Sequence, residues 1–375
     1  MESPWIAFAG GGTGGHIYPA LSVVEALRAR VSDLRFVFFV TERKVDSRIL
    51  NQADFTVVRQ SLAPVSWKPW RWPMIAHKFR SARRLCGGVL RERRPAIVVG
   101  TGGLASVPAL LEAAAVGIPT VVLNPDVVPG RANRRVAPRA DAVFAQWSDT
   151  ARHLPRNCRL VVSGCPIRPG FVSASRDAGI GRFDLDARRR TLLVTGASQG
   201  ARSINEAVLA CSDWLAGTSQ WQVLHLTGEA EFARVRDAYT VKGVGARVVA
   251  YTEQMAEAMA AADLVLSRAG ASTLAEITAV GRASILMPYP YHRDAHQLAN
   301  AECLARAGAA RIVADKIDAE VNGPRLQAAL ESLMTRDTER DAMASAARHV
   351  GRPDAAGDIA DELLRIGDVA RESKR

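Results

Sequence analysis

Short runs of β-branched and aromatic residues alternate along the chain with longer segments whose apolar positions recur at helical spacing. Trp5–Ala9, Phe36–Val40, Ile97–Gly100, Thr120–Leu123, Ala142–Ala145 and Leu160–Val162 read as strands in the first half. Thr191–Thr195, Gln222–Leu226, Arg247–Ala250, Leu264–Leu266 and Ser284–Met287 read as strands in the second. Helical stretches such as Pro19–Arg30 and Ser203–Trp214 lie between most of them. Such alternation predicts an α/β protein with parallel sheets.

The pattern also repeats. "WIAFAGGGTGGHIYPALSVVEAL" and "TLLVTGASQGARSINEAVL" each read strand, glycine loop, helix. "IVVGTGGLASVPALLEAAAVGIPTVVLNP" and "LVLSRAGASTLAEITAVGRASILMP" each read strand, small-residue loop, helix, Val-Gly, strand. Two similar halves predict two Rossmann-like domains, with the loops at the carboxyl ends of their strands facing a shared cleft. The expected division is a first domain over 1–165, a linker over 166–189 rich in Gly, Pro, Ser and charge, and a second domain over 190–350. The last stretch, 351–375, carries a helix expected to pack back on the first domain.

Composition narrows the class. Of 375 residues, 48% are hydrophobic and 23% charged, as in globular proteins rather than disordered ones. Five cysteines, an odd number with no C-x-x-C pair, argue against a disulfide framework and a zinc site. The start lacks the basic leader and cleavage region of a signal peptide. The least charged stretch, 97–125, is broken by Gly, Pro and Glu112 and does not read as a membrane span. A net charge of +11 favours an anionic partner without choosing among nucleic acid, lipid and phosphorylated substrate.

Four loops carry candidate chemistry. Gly10-Gly11-Gly12-Thr13-Gly14-Gly15-His16 joins a strand to a helix, where glycines admit close approach and the first amides attract an anion. It also satisfies G-x-G-x-x-G, a weak match in so glycine-rich a segment, and a ligand-free turn is the lesser alternative. Gly196-Ala197-Ser198-Gln199-Gly200 repeats the arrangement, with Ser198 able to donate to a phosphate. In the stretch 267–276, Arg268 and Thr273 suit a diphosphate and Glu276 a ribose diol, although a plain capped helix needs the same small residues. In 288–300, His296 and Gln297 suit sugar hydroxyls, while His292, Asp294 and His296 weakly suggest a metal.

One stretch stands apart by chemistry. Trp67 to Arg94 mixes three tryptophans, Met74, Ile75 and Phe79 with nine Lys/Arg and one acidic residue. Trp67, Trp70, Trp72, Phe79, Arg80, Arg83 and Arg84 form a candidate docking face for an anionic membrane, since tryptophan favours the lipid–water boundary and cations favour anionic headgroups. Stacking on nucleic acid, or a helix half buried in its own core, would use the same residues.

Taken in order, "GGGTGGHIYPALSVVEAL", "GASQGARSIN", "SRAGASTLAEI" and "HQLANA" resemble the MurG family, and the resemblance spans nearly the whole chain. It implies a GT-B fold and inverting transfer of GlcNAc from UDP-GlcNAc to the C4 hydroxyl of MurNAc in undecaprenyl-diphospho-muramoyl pentapeptide. The enzyme would then be peripheral on the cytoplasmic face of the inner membrane. The resemblance assigns Ser198, Arg268, Ala271, Ser272 and Thr273 to the donor's diphosphate and sugar, with Leu274 and Ala275 in the same donor segment. It assigns Thr252 to uracil through its backbone, Glu276 to the ribose, Gln297 to the sugar and Arg168 to the donor side. Thr13, Gly14 and Gly15 fall with the donor-binding set and also, with His16, serve the acceptor side and reaction centre. The chain departs from the family in carrying Leu123-Asn124-Pro125-Asp126 where His-Glu-Gln-Asn is usual and Leu104 where an aromatic is common. Both departures lie on the proposed acceptor or sugar side, so a different lipid-linked acceptor is an alternative.

Transfer of this kind requires a base for the incoming hydroxyl and opposition to the charge of the departing UDP. His16 is the first candidate base and Asp126 the second. Arg268 and helix N-termini stand in for a metal, so neither a metal nor another cofactor is expected, and no nucleic-acid partner. Three rivals are an NAD-dependent dehydrogenase, a UDP-GlcNAc epimerase on a related scaffold, and a non-catalytic membrane-associated scaffold that retains the donor loops.

Overall fold

The apolar runs form strands because parallel strands covered on both faces leave little room for polar side chains. The computed structural model describes residues 3–12, 14–43, 46, 50, 55–64, 66–196, 200–291 and 295–368. Its chain divides into two units, one of 1–168 with 354–375 and the other of 169–353.

The first unit is built on a seven-stranded parallel sheet ordered β3-β2-β1-β4-β5-β6-β7. Its strands are β1 (Trp5–Gly10), β2 (Arg35–Thr41), β3 (Thr56–Gln60), β4 (Ile97–Gly102), β5 (Thr120–Asn124), β6 (Ala142–Ala145) and β7 (Leu160–Val162). One face packs Ile6, Phe8, Phe36 and Phe38 under the helix Gly14–Arg30 and the C-terminal helix Ala355–Ile366. The other packs Ala7, Phe39, Val98 and Val122 under the helices Trp72–Arg93 and Ser106–Ala115. The C-terminal helix buries Ile359, Ala360 and Leu363 in the first unit's core. Arg159 pairs with Glu362 at its edge, and Arg30 with Asp361.

The second unit holds a six-stranded parallel sheet ordered β10-β9-β8-β11-β12-β13. Its strands are β8 (Arg190–Thr195), β9 (Trp221–Leu226), β10 (Ala246–Val249), β11 (Leu264–Ser267), β12 (Ala283–Leu286) and β13 (Arg311–Ile312). His225 lies between the Tyr239 hydroxyl at 2.9 Å and the Asn205 carboxamide at 3.0 Å, and burial lowers its pKa to about 3, so it is held neutral.

Two expectations require correction. The stretch 166–189 is no open linker: from Pro169 it belongs to the second unit and forms the helices Gly170–Ser173 and Arg176–Phe183. A Cβ on Gly179 would fall 2.2 Å from the Glu257 carbonyl oxygen, so that glycine serves close helix packing rather than flexibility. The sequence reading also omitted β3 and the two-residue β13.

Both sheets reverse their winding direction beside their first strand. β1 lies between β2 and β4, and β8 between β9 and β11. In open α/β sheets ligands collect at this switch point, outside the carboxyl ends of the strands. The described loop residues found there are Gly11, Gly12 and 103–105 in the first unit, and Gly196, Gly200, Ala201 and 268–270 in the second.

Candidate functional site

In the second unit the two switch-point loops wall a cavity of about 800 Å³, large enough for a nucleotide sugar. Gly196, Gly200, Arg268, Gly270, Thr273 and Gln297 contribute to its lining, together with Arg202, Ser203, Tyr289 and Tyr291. Two helices begin at this wall, Arg202–Ala210 and Ala271–Val280, and neither has a side-chain N-cap bond. Their first amides therefore offer a partial positive charge to an anion.

Arg268 sits at the head of the second loop in an unexpected state. One guanidinium nitrogen donates to Asp315 Oδ2 at 2.7 Å and to the Met287 carbonyl at 2.9 Å. The other donates to Ser203 Oγ at 2.7 Å, and Tyr289 lies against the group with its ring centroid 5.5 Å from Cζ. Asp315 also accepts from Ser203 Oγ, the Ile317 amide and the Asn322 carboxamide at 2.6, 2.8 and 2.9 Å. Burial works to raise the Asp315 pKa, but these hydrogen bonds outweigh it and hold the carboxyl below its ordinary value. The sequence suits Arg268 to charge contacts with a diphosphate. The structure makes it a buried strut, neutralised by Asp315, that ties the two loops together.

Gln297 and Asn300 grip the same loop from the helix His296–Arg306. The Gln297 carboxamide oxygen accepts from the Ala269 and Tyr289 amides at 3.3 and 2.9 Å, and Asn300 donates to the Ala269 carbonyl at 3.2 Å. With its oxygen so engaged, the group Gln297 has for a ligand is its NH₂.

Other donor candidates fall differently. Ser272 and Glu276 are half-buried on the helix Ala271–Val280, and Ala271 is buried at its first position. Leu274 and Ala275 point into the core, at 0% and 7% exposure, so neither side chain reaches a ligand. Thr252 exchanges hydrogen bonds with Gln254 through its hydroxyl. His296 opens its helix half-buried. Ser198, Thr13, His292 and Asp294 lie outside the described residues. Among the described residues no cluster of three His, Cys, Asp or Glu is placed to hold a metal.

In the first unit, Gly14 and Gly15 open the helix Gly14–Arg30 with His16 behind them. His16 Nδ1 lies 3.0 Å from the Gly11 carbonyl oxygen. A carbonyl only accepts, so Nδ1 carries a proton and donates it to Gly11. The ring rests on Gly102 and Gly103, at φ +107° and +75°, and a Cβ on Gly102 would lie 3.1 Å from His16 Cδ2. Arg168 stacks on Tyr18 of the same helix, 5.2 Å from Cζ to ring centroid.

In the departing segment, Leu123 is core and Asn124 is buried. Asn124 donates to the Asp126 carbonyl at 2.7 Å and accepts from Asn133 at 3.0 Å. Asp126 is half-buried beside it.

The basic aromatic stretch folds as the amphipathic helix Trp72–Arg93, which buries Ala82, Cys86, Gly87 and Leu90. Trp67, Trp70 and Trp72 remain 84%, 73% and 58% exposed, with Arg80 and Arg84 also exposed. Of the other two candidates, Phe79 is half-buried and packs against the core, and Arg83, with 42% of its side chain exposed, pairs with Glu112.

Residues 6–145 match the N-terminal domain of glycosyltransferase family 28, and residues 191–359 match its C-terminal domain. A UDP-N-acetylglucosamine–N-acetylmuramyl-(pentapeptide) pyrophosphoryl-undecaprenol N-acetylglucosamine transferase of Desulforamulus reducens is 34% identical over 93% of this chain and 95% of its own. The chain belongs to the MurG family. This family member has the fold of the Acinetobacter baumannii MurG crystal structure, with a TM-score of 0.78 and 24% identity over 96% of this chain and 99% of that one. The same two-domain GT-B architecture extends to a UDP-GlcNAc 2-epimerase from Neisseria meningitidis, with a TM-score of 0.68 at 15% identity over 96% of this chain and all of that one.

Proposed function

We infer that the protein is an inverting glycosyltransferase that moves GlcNAc from UDP-GlcNAc to the C4 hydroxyl of MurNAc in undecaprenyl-diphospho-muramoyl pentapeptide. The observation that carries this is the near full-length identity of 34% to a transferase named for that reaction. The donor cavity of the second unit supports it, since two uncapped helix starts meet there beside Gln297.

The residues divide the work as follows. The amides at the starts of the helices Arg202–Ala210 and Ala271–Val280 hold the diphosphate and stabilise its charge as UDP departs. The Gln297 NH₂ donates to a sugar hydroxyl. Glu276 accepts from the ribose diol, and the backbone at Thr252 meets the uracil. Arg268 and Asp315 fix the loop between these contacts. On the acceptor side His16 Nε2 takes the proton of the C4 hydroxyl as that oxygen attacks C1 and the bond from C1 to the diphosphate breaks. Asp126 is the second candidate base. Trp67, Trp70, Trp72, Arg80 and Arg84 bring the enzyme to an anionic cytoplasmic membrane face.

The purified protein should transfer labelled GlcNAc from UDP-GlcNAc to the lipid-linked MurNAc-pentapeptide, and His16→Ala should lower turnover while sparing UDP affinity. Free GlcNAc epimers without transfer would instead favour the epimerase reading. UDP binding without either product would favour a scaffold.

A further inference from the structure

Asp46 lies outside every motif, yet it is 0% exposed and its carboxylate is turned onto the first glycine loop. Its two oxygens accept the Gly12 amide at 2.8 and 3.0 Å. One of them also accepts the Thr41 amide at 3.1 Å, and the Thr41 hydroxyl donates to it as well. The fit depends on glycine: Gly11 has φ +140°, and a Cβ there would lie 2.6 Å from Asp46 Oδ2. From the other side Arg43 donates to the Gly12 carbonyl at 3.1 Å.

The Gly12 N–H and the Gly11 C=O belong to one peptide group. Its N–H points to Asp46, and its C=O accepts the proton on His16 Nδ1 at 3.0 Å. A carboxylate is thus joined to the imidazole through a single amide. Hydrogen bonding to an anion polarises that amide and makes its carbonyl a stronger acceptor. A stronger acceptor at Nδ1 fixes the tautomer that leaves the lone pair on Nε2 and steadies the ring as it takes a proton.

We propose that Asp46 is a positioning residue for His16, acting through the Gly11–Gly12 peptide to hold the imidazole in its base-competent tautomer. The Gly102–Gly103 turn supplies the floor on which the ring is held. This inference rests on the reading of His16 as the base. The arrangement balances as a general-base step: the acceptor hydroxyl proton passes to Nε2, Nδ1 keeps its own proton, and Asp46 remains ionised.

The test uses the full chain with ¹⁵N-labelled histidine, the His16 signal being assigned by its loss in His16→Gln. The wild type should show His16 as the Nδ1–H tautomer. Asp46→Asn keeps the shape but removes the charge. It should lower kcat by at least about tenfold with the KM for UDP-GlcNAc within about twofold, and should move His16 toward a mixture of tautomers. Asp46→Ala should do the same more strongly, with UDP affinity kept because the donor loops lie in the other unit. An unchanged His16 tautomer in folded Asp46→Asn overturns the proposal, whatever the activity. A fall in activity that merely tracks loss of folded protein does so too. If His16→Ala retains full transfer, the base reading fails on its own, and the tautomer measurement still judges the coupling between Asp46 and His16.

Discussion

Arg268 and Asp315 form a buried ion pair at 2.7 Å, with 10% and 0% of their side chains exposed, at the wall of the donor cavity. The pair is completed by Ser203, which donates to Asp315 and accepts from Arg268. Every Asp315 oxygen is satisfied, so the cost of desolvating the charges is met by hydrogen bonds as well as by their mutual attraction. The arrangement joins the helix start after β8 to the loop after β11, two pieces that line the same cavity.

Asp315→Ala should therefore destabilise the protein by about 3–5 kcal/mol, the cost of leaving a buried charge unpaired. Donor binding should weaken in the same variant, and urea unfolding with and without UDP separates the two effects.

The same carboxylate predicts an acid limb of stability. Its folded pKa lies below its ordinary 3.8. The stabilisation is complete above that value and is lost as pH falls through the lowered folded one. Asp315→Asn should trail the wild type by a constant margin down to about pH 4 and close the gap below it. Chemical unfolding between pH 7 and pH 3 checks this, and a margin that widens on acidification contradicts it.

Gln297 offers a separable test of the sugar contact. Gln297→Glu keeps an acceptor for the Ala269 and Tyr289 amides but replaces the NH₂ with an oxygen. The KM for UDP-GlcNAc should rise about tenfold or more, as expected when a donor is exchanged for a charge beside a diphosphate. UDP-glucose and UDP-GlcNAc should be affected alike if the contact is to a hydroxyl both sugars share.

Glu276→Ala should weaken UDP binding by roughly 1–3 kcal/mol, the scale of hydrogen bonds to a charged group. Calorimetry with UDP and with the deoxyribose analogue checks it. If the carboxylate meets the ribose diol, the variant should lose its preference between the two.

The strands were legible because each is a short apolar run closed by glycine or a polar loop. Most strand bounds agree to within a residue or two, as for Ala142–Ala145. β13 escaped notice because Arg311–Ile312 is too short to carry a pattern. The donor loops were legible as strand, small-residue loop and helix. Their supports were not. Asp315 and Asp46 lie far in sequence from Arg268 and Gly12, and nothing local marks an aspartate as buried. The packing of Phe79 was not legible, because a docking face and a packed face of one helix share residue types. The i, i+4, i+8 spacing of Ala82, Cys86 and Leu90 was the signal that would have separated them.

The last prediction concerns that helix and the loop before it. A polyprenyl chain stays in the bilayer because each CH₂ brought into water costs about 0.8 kcal/mol, so the enzyme has to come to its acceptor. No helix among the described residues is long and apolar enough to cross a membrane. Trp67 and Trp70 are largely exposed, and Trp72 holds its ring by donating to the Ser66 carbonyl at 3.0 Å. Lys68 lies over the Trp70 ring with Nζ 5.7 Å from its centroid, while Arg80 and Arg84 are exposed along the helix. Each cation near an anionic surface contributes about 1 kcal/mol, and salt screens it. The wild type should therefore sediment with phosphatidylglycerol vesicles at low salt and release as salt rises. Replacing Trp67 and Trp70 with Ser should reduce binding at every salt concentration without altering the unfolding midpoint. Replacing Arg80 and Arg84 with Gln should reduce it mainly at low salt. Phe79→Ser should instead destabilise the first unit, because that ring is packed against the core. Equal vesicle binding by the wild type and the double tryptophan variant would move the docking face off this helix.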